Sequence, residues 1–192
     1  MKKLLSLLLL CSSLSATAQQ ALISGPNVGE DCPAFDPRHV WGPDRGTTAC
    51  PMCKYGYRQG VIIWMNTDDW NNAGHLVQAF EEQIHRKGLK RIRVFLVYMN
   101  PDKKKRAEVE SMLIGFAKKN ELKKVAVTYI PEPTDPKTAG LYDINPDSKV
   151  RNTVIVYKSR GVFEKFVNFN ADAASIGKLI SAIDKAEAAK NF

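Results

Sequence analysis

Short apolar segments recur along the chain, and polar stretches separate them. Each segment has the length of a strand, and most are continuous runs, which is typical of strands buried on both faces of a sheet. The predicted strands are 61–65, 92–98, 125–130, 153–157 and 162–169. The last two flank the turn sequence Ser159-Arg160-Gly161 and are therefore expected to form a hairpin.

Between these strands, apolar residues recur at the spacing of a helix. The predicted helical segments are 76–84, 109–116 and 176–183. Asn100-Pro101 is expected to open the second helix, because proline suits a first-turn position, and Asn170 is expected to cap the third. A single helical turn is expected within 137–142.

The order of these elements defines a fold class. Strands that alternate with helices predict a parallel sheet, and the closing hairpin adds an antiparallel part. The prediction is an α/β protein with a mixed central sheet and helices on both faces. Segment 19–60 is rich in glycine, proline and aspartate, which indicates loop or short edge-strand structure. We expect it to form one domain with the core, 61–190.

Residues 1–18 have the three parts of a secretory signal peptide. A basic start precedes the apolar run 4–10 and Ala16-Thr17-Ala18, an A-x-A cleavage sequence. Cleavage after Ala18 takes 18 of the 192 residues and leaves 174; it removes two lysines and no acidic residue, so the net charge falls from +8 to +6. A lipid anchor at Cys11 is the alternative, but the leucines before it lack the small residue that such modification needs. The mature protein is expected to be exported, either periplasmic or secreted.

The remaining composition excludes several classes. No later run is long enough for a transmembrane helix in the mature chain, and the charged and apolar fractions, 25% and 44%, are those of a soluble globular protein. The basic run 103–106 lacks interleaved aromatic residues and belongs to an exported chain, so no nucleic-acid partner is expected. Three cysteines remain, an odd number in an oxidising compartment, so one must be free, metal-bound or paired with a partner.

The CxxC sequence at Cys50 and Cys53 is the strongest local signal for chemistry. Two cysteines three apart on a helical turn point the same way, so their sulfurs can meet. Pro51 suits the first helical position, and a helix N-terminus favours a thiolate. Lys54 adds positive charge. These features are typical of a reactive dithiol, although a permanent structural disulfide has the same spacing.

A metal site is a second interpretation of the cysteines. Cys32, His39, Cys50 and Cys53 together make a legitimate tetrahedral zinc set, and thiolates with the thioether of Met52 would suit copper(I). This interpretation accounts for the odd cysteine. Two further alternatives remain open: His39 is an ordinary surface-loop histidine, or Cys32 forms a disulfide with Cys50 or Cys53.

The chain resembles the thioredoxin-like redoxin family over 28–190, nearly all of the mature sequence. Segment 27–35, NVGEDCPAF, is similar to the family's opening, in which a Val-Gly pair precedes Pro-x-Phe. Segment 142–144, followed by 153–157 and Gly161, is similar to the stretch before the family's closing hairpin. The resemblance implies a thioredoxin-like fold.

The chain departs from the family at two positions that carry its chemistry. The resemblance places a CxxC or peroxidatic cysteine after the first core strand, where 66–72 contains no cysteine. The family's cis-proline precedes a threonine at the fourth strand, where Asn152 precedes Thr153; a trans peptide is expected because a cis bond at a non-proline residue costs about 3 kcal/mol. The CxxC instead precedes the first core strand.

Two functions follow from these features. The first is thiol–disulfide exchange without a cofactor, with Cys50 as the attacking thiolate, Cys53 as the resolving thiol, and thiol or disulfide proteins as partners. The second is a non-catalytic module of redoxin fold, with a structural disulfide or a zinc or copper ion at Cys32, His39, Cys50 and Cys53.

Overall fold

A computed structural model describes residues 22–189, so the predicted signal peptide lies outside the described residues. The described chain forms six strands, four α-helices and a 3₁₀ turn at Gly140–Tyr142. In chain order, the elements are β1 (Arg38–Trp41), α1 (Pro51–Tyr55), β2 (Gln59–Met65), α2 (Trp70–Lys87), β3 (Ile92–Tyr98), α3 (Arg106–Lys119), β4 (Ala126–Tyr129), β5 (Asn152–Lys158), β6 (Gly161–Val167) and α4 (Ala173–Ala188).

The six strands form one sheet in the order β1-β4-β3-β2-β5-β6. β2, β3 and β4 are parallel, whereas β5 runs antiparallel to β2, and β1 and β6 add antiparallel edges. The closing hairpin and the parallel centre are both present, so the predicted mixed sheet is confirmed.

Both faces of the sheet are covered, because the central strands are apolar on both sides. Ile63 and Met65 of β2 belong to a core with residues of α2, α3 and α4, whereas Ile62 and Trp64 belong to a second core with Met52 of α1. Side chains alternate between faces along a strand, which explains this division. The fold class predicted from the sequence is therefore confirmed.

The start of α3 was predicted wrongly. The helix begins at Arg106, not at Pro101. Asn100 and Lys103 have positive φ angles of 48° and 49°, and the Asn100 amide donates to the carbonyl of Lys104 at 3.0 Å. Asparagine tolerates this backbone and closes a local turn with its side chain, so the segment forms a turn before the helix can begin.

The cap of α4 was also predicted wrongly. Asp172, not Asn170, precedes the helix, and its carboxylate accepts from the backbone N–H of Ser175 at 2.9 Å. The side chain of Asn170 instead accepts from the Arg151 guanidinium at 2.7 Å. Aspartate and asparagine are both favourable N-cap residues. The two positions differ in that Asn170 has a tertiary contact with Arg151.

The N-terminal segment supplies β1, which pairs with β4 at the edge of the sheet. Further upstream, the chain runs along the opposite edge, where Asp31 bridges Gly161 and the Cys32 N–H donates to the carbonyl of Arg160. The segment that carries the CxxC and the core therefore share one sheet. Within residues 22–189, no helix has the length and apolarity needed to cross a membrane.

Candidate redox site

The CxxC sequence forms the first turn of α1, as its spacing predicts. Cys50 is the N-cap, Pro51 occupies the first helical position, and the sulfurs of Cys50 and Cys53 form a disulfide with 5.3 Å between the Cα atoms. The backbone N–H of Cys53 donates to Sγ of Cys50 at 3.0 Å. An N–H at a helix N-terminus can stabilise negative charge on a sulfur at this position when the disulfide is reduced.

The two cysteines differ in exposure. Cys53 is exposed and Cys50 is half-buried, whereas Pro51 and Met52 are buried. Met52 is 0% exposed and lies in the same apolar core as Trp64. α1 is thus anchored by its apolar side and turns its disulfide toward solvent.

A buried carboxylate anchors the other side of α1. Asp44 is 7% exposed; it binds the Lys54 ammonium and accepts from the Tyr55 hydroxyl at 2.9 Å. Burial opposes ionisation of Asp44, but the hydrogen bonds from Lys54 and Tyr55 outweigh it and lower the pKa of this carboxyl. The guanidinium of Arg93 lies over the Tyr55 ring at 4.2 Å. Asp44 and Arg93 were not predicted, because no local pattern connects them to the CxxC.

α1 lies near the amino-terminal ends of β2 and β3. The Tyr55 ring is 5.9 Å from Phe95, and Arg93, beneath the same ring, is the second residue of β3. Ser159, in the β5–β6 turn, donates its N–H to the carbonyl of Arg58 just after α1. The carboxy-terminal part of α1 therefore lies at the end of the sheet opposite to the one where the redoxin resemblance places a CxxC.

That opposite end is closed by a polar network. Asp68 has a side chain only 1% exposed, and its carboxylate accepts from the amides of Asn72 at 2.8 Å and Asn152 at 2.5 Å and from the Asp69 N–H at 2.9 Å. Asp69 caps α2 by accepting from the N–H of Asn71. Carboxylate and amide groups thus satisfy one another at the position where the resemblance places the family's reactive cysteine.

Asn152 takes the place of the family's cis-proline and binds this network. Its amide oxygen accepts from the Phe169 N–H at 2.8 Å, and its amide nitrogen donates to the Phe169 carbonyl at 3.0 Å. The described residues contain no cis peptide bond, so the expected trans geometry at Asn152 is confirmed. A proline could supply neither of these side-chain bonds.

Cys32 is the free thiol of the described chain, and it is fully buried. Burial, with a smaller contribution from the negative charge of Asp31, raises the pKa of Cys32 to about 12. Tyr142 and Tyr157 lie in the same apolar core, and burial raises the pKa of both hydroxyls. A neutral thiol in such surroundings is a poor nucleophile.

The free energy of unfolding is expected to fall as pH rises above about 9. The ordinary thiol pKa is 9.0, whereas folded Cys32 keeps its proton up to about 12. Between these values the folded state binds one proton more than the unfolded chain, so stability is lost with rising pH, by at most about 1.4 kcal/mol per pH unit for one thiol. Urea unfolding of oxidised protein from about pH 7 to about pH 10.5 measures this loss.

The Cys32→Ala variant is the control for this pH dependence. It should lose less stability than the wild-type protein between about pH 9 and pH 10, before the tyrosines of the unfolded chain ionise. Identical pH profiles for the two proteins would show that Cys32 does not cause the loss.

His39 is neither exposed nor in a loop, so the surface-loop interpretation is wrong. It lies on β1, is 1% exposed, and donates from Nε2 to the Ala49 carbonyl at 2.8 Å. Burial lowers the pKa of His39. Two consecutive residues of β1, His39 and Val40, are buried, so both faces of this edge strand are covered. The glycine- and proline-rich sequence around the strand concealed this placement.

The zinc or copper site at Cys32, His39, Cys50 and Cys53 stays a prediction. Over residues 22–189, no three His, Cys, Asp or Glu side chains are grouped as metal ligands. Cys50 and Cys53 bond to each other, and Nε2 of His39 is engaged by Ala49. Elemental analysis of reduced, untagged protein tests the prediction: one equivalent of zinc or copper would support it, and metal-free protein would reject it.

Comparison with known proteins identifies the class of fold. No family model matches the sequence, and no curated protein matches it. Solved structures do match, and redoxins and related thiol proteins are among them. The chain therefore has a thioredoxin-like fold, as the sequence resemblance implied.

Three of these structures show the extent of the likeness. A Chlorobium tepidum protein assigned as a thiol:disulfide interchange protein DsbE is 14% identical, with a TM-score of 0.61, and the match covers 84% of this chain and 98% of that one. A Bacteroides thetaiotaomicron protein assigned as a protein disulfide isomerase is 10% identical, with a TM-score of 0.59 and coverage of 86% and 94%. A thiol peroxidase from Chromobacterium violaceum is 13% identical, with a TM-score of 0.56 and coverage of 85% and 89%.

Proposed function

We propose that this protein is an exported thiol–disulfide oxidoreductase in which Cys50 and Cys53 cycle between dithiol and disulfide. One observation carries the proposal: an accessible disulfide begins a helix and has a backbone N–H directed at Sγ of Cys50. The thioredoxin-like fold is consistent with it, as are the assignments of the neighbouring DsbE and disulfide isomerase structures.

The proposed exchange proceeds in two steps. The Cys50 thiolate attacks one sulfur of a partner disulfide, which forms a mixed disulfide and expels the partner's other sulfur as a thiolate. The Cys53 thiol loses its proton to solvent and attacks Sγ of Cys50, which closes the Cys50–Cys53 disulfide and releases the second partner thiolate. Two electrons pass from the dithiol to the partner, and the reverse sequence oxidises a partner dithiol.

The surroundings of α1 support such cycling. Met52 and Tyr55 hold the helix against two apolar clusters, and the Asp44 contacts involve Lys54 and Tyr55 rather than either sulfur. The disulfide can therefore open while the contacts that anchor the helix remain. A rigid scaffold around the sulfurs lowers the reorganisation that each exchange step requires.

Export is part of the proposal and rests on the sequence of residues 1–18. In the periplasm or outside the cell, the environment favours disulfides, and the partners would be exported proteins with thiols or disulfides. The location is tested by N-terminal sequencing of protein recovered from the exported fraction, where the mature chain should begin at Gln19.

A redox titration of the mature protein tests the activity. The protein is equilibrated in thiol buffers of graded potential, then unfolded and alkylated. The number of alkylated cysteines should change reversibly from one, Cys32, to three as the potential falls. The reduced form should also reduce an uncharged small disulfide, such as hydroxyethyl disulfide. A disulfide that stays closed at the potential of reduced glutathione, without exchange activity, would reject the proposal in favour of a structural cross-link.

A further inference from the structure

In the turn between β5 and β6, which lies beside α1, one residue has a backbone conformation that is unfavourable for its residue type. Lys158 pairs with Gly161, so Ser159 and Arg160 form a two-residue hairpin loop. Their φ angles are 49° and 72°. Loops with two positive φ angles are usually built from Asn-Gly, because a Cβ is poorly tolerated there, most of all at the second position. Arginine at position 160 therefore adopts a backbone conformation that its residue type disfavours.

The side chain of Arg160 lies against α1. Its Cγ is 2.8 Å from the position that a Cβ on Gly56 would occupy, so the aliphatic stem crosses the end of the helix. Gly56 follows Cys53 by three residues and keeps helical dihedral angles, which places both on one side of α1. The stem of the half-buried Arg160 therefore lies near the end of α1, on the side of the helix that carries the exposed Cys53.

A second arginine lies beside the first. The carbonyl of Arg58 accepts from the Ser159 N–H at 3.3 Å, and Arg58 is exposed. Within the described part of the chain, neither Arg58 nor Arg160 forms an ion pair with an acidic side chain. Two acidic residues lie at this edge: Asp31 bridges Gly161 through its backbone, and the carbonyl of Glu30 accepts from the N–H of Val162. The surface thus carries two guanidiniums without an acidic partner.

In the basic run at the start of α3, by contrast, most side chains form ion pairs with acidic residues. Lys103 binds Glu132, Lys104 binds Asp102, and Arg106 binds Glu110 at 2.8 Å. The positive charge of that run is largely neutralised within the fold. The arginines beside the disulfide keep their charge available to a partner.

An exposed aromatic residue completes the surface. Tyr57 is 78% exposed and directly precedes Arg58. Tyrosine and arginine are enriched in protein interfaces, where each contributes contact area together with polar bonds. Neither the cavity between α2 and α3 nor the one between α2 and the segment after α3 is lined by Cys50 or Cys53.

We propose that Tyr57, Arg58 and Arg160 form a docking surface, the cationic rim, for an acidic segment of the protein that exchanges disulfides with Cys50 and Cys53. This inference rests on the proposed function. Opposite charges accelerate encounter and exclude basic segments, so the rim selects partners whose reactive cysteine has acidic neighbours.

Two matched peptides test the rim. Each has one cysteine in mixed disulfide with 2-mercaptoethanol and is flanked by either three glutamates or three lysines. Reduced wild-type protein should react with the glutamate peptide about 10-fold faster at low salt, and the difference should shrink as salt screens the charges. Hydroxyethyl disulfide, which has no charge, reports the chemistry of the cysteines alone.

The Arg160→Gly variant tests docking without destabilising the fold. Glycine suits the φ of 72°, so the melting temperature should not fall, whereas the rate with the glutamate peptide should fall several-fold and the rate with hydroxyethyl disulfide should stay unchanged. Arg160→Lys should restore much of the peptide rate. Lys103→Gly is the matched control, because it also replaces a basic residue at positive φ, 49°, but far along the chain from α1.

Each alternative result has a distinct meaning. Equal rates for the two peptides, or equal losses in Arg160→Gly and Lys103→Gly, would overturn the cationic rim. Charge-dependent sedimentation with anionic phospholipid vesicles, with no preference between the peptides, would assign the arginines to a membrane surface and would also overturn it. Failure of the wild-type protein to reduce hydroxyethyl disulfide would reject the proposed function instead.

Discussion

Replacing Cys50 by serine is expected to reduce disulfide-exchange activity to the level of the buffer control. A serine hydroxyl is not ionised near neutral pH, so the N–H of Cys53 would have no thiolate to stabilise. Loss of a nucleophile typically lowers the rate by roughly 10³-fold or more. The rate of reduction of hydroxyethyl disulfide, followed with each purified variant in its reduced form, measures the effect.

The Cys53→Ser variant distinguishes the roles of the two sulfurs. With no resolving thiol, its Cys50 should remain in mixed disulfide with a peptide, and mass spectrometry should find the adduct at Cys50. Cys50→Ser should give no adduct. The reverse pattern would mean that the greater exposure of Cys53 decides the point of attack, not the thiolate stabilisation at Cys50. Buried Cys32 should be unmodified in both variants.

Asp68→Ala is expected to give a large loss of folding stability, about 3 kcal/mol. The carboxylate accepts from Asn72, Asn152 and the Asp69 N–H, and it is almost fully buried. Removing a buried charged acceptor leaves its donors partly unsatisfied, and each hydrogen bond to a charged group contributes about 1.5–3 kcal/mol. Urea unfolding, monitored by tryptophan fluorescence, measures the difference in the free energy of unfolding.

Asp69→Ala is the matched control, because the neighbouring aspartate is exposed and only caps α2. Its loss should be about 1 kcal/mol. If the two variants lost the same amount, the buried network would not be the cause. Exchange activity of folded Asp68→Ala should equal that of the wild-type protein, since the contacts of Asp68 include neither Cys50 nor Cys53.

Particular residues show how far sequence reasoning reached. The strand at 92–98 was predicted with its observed bounds, because a run of apolar residues between polar segments marks a buried strand directly. The first turn of α1 was also predicted, since both the position of Pro51 and the cysteine spacing are local signals. Sequence reasoning failed at the start of α4. There, Asn170 was predicted as the cap, but its side chain binds Arg151 instead.

The sequence by itself determined the order of elements, the fold class and the displacement of the CxxC from the redoxin position. The first two depend on periodicity and spacing, which are visible in one dimension. The third depends also on the resemblance to the redoxin family. Only the tertiary structure decided what surrounds the disulfide. Asp44 reaches α1 through a loop, Arg93 from β3 and Arg160 from a hairpin more than 100 residues further along the chain. Their distance in sequence carries no information about their proximity in space, because the sheet that joins them forms only on folding.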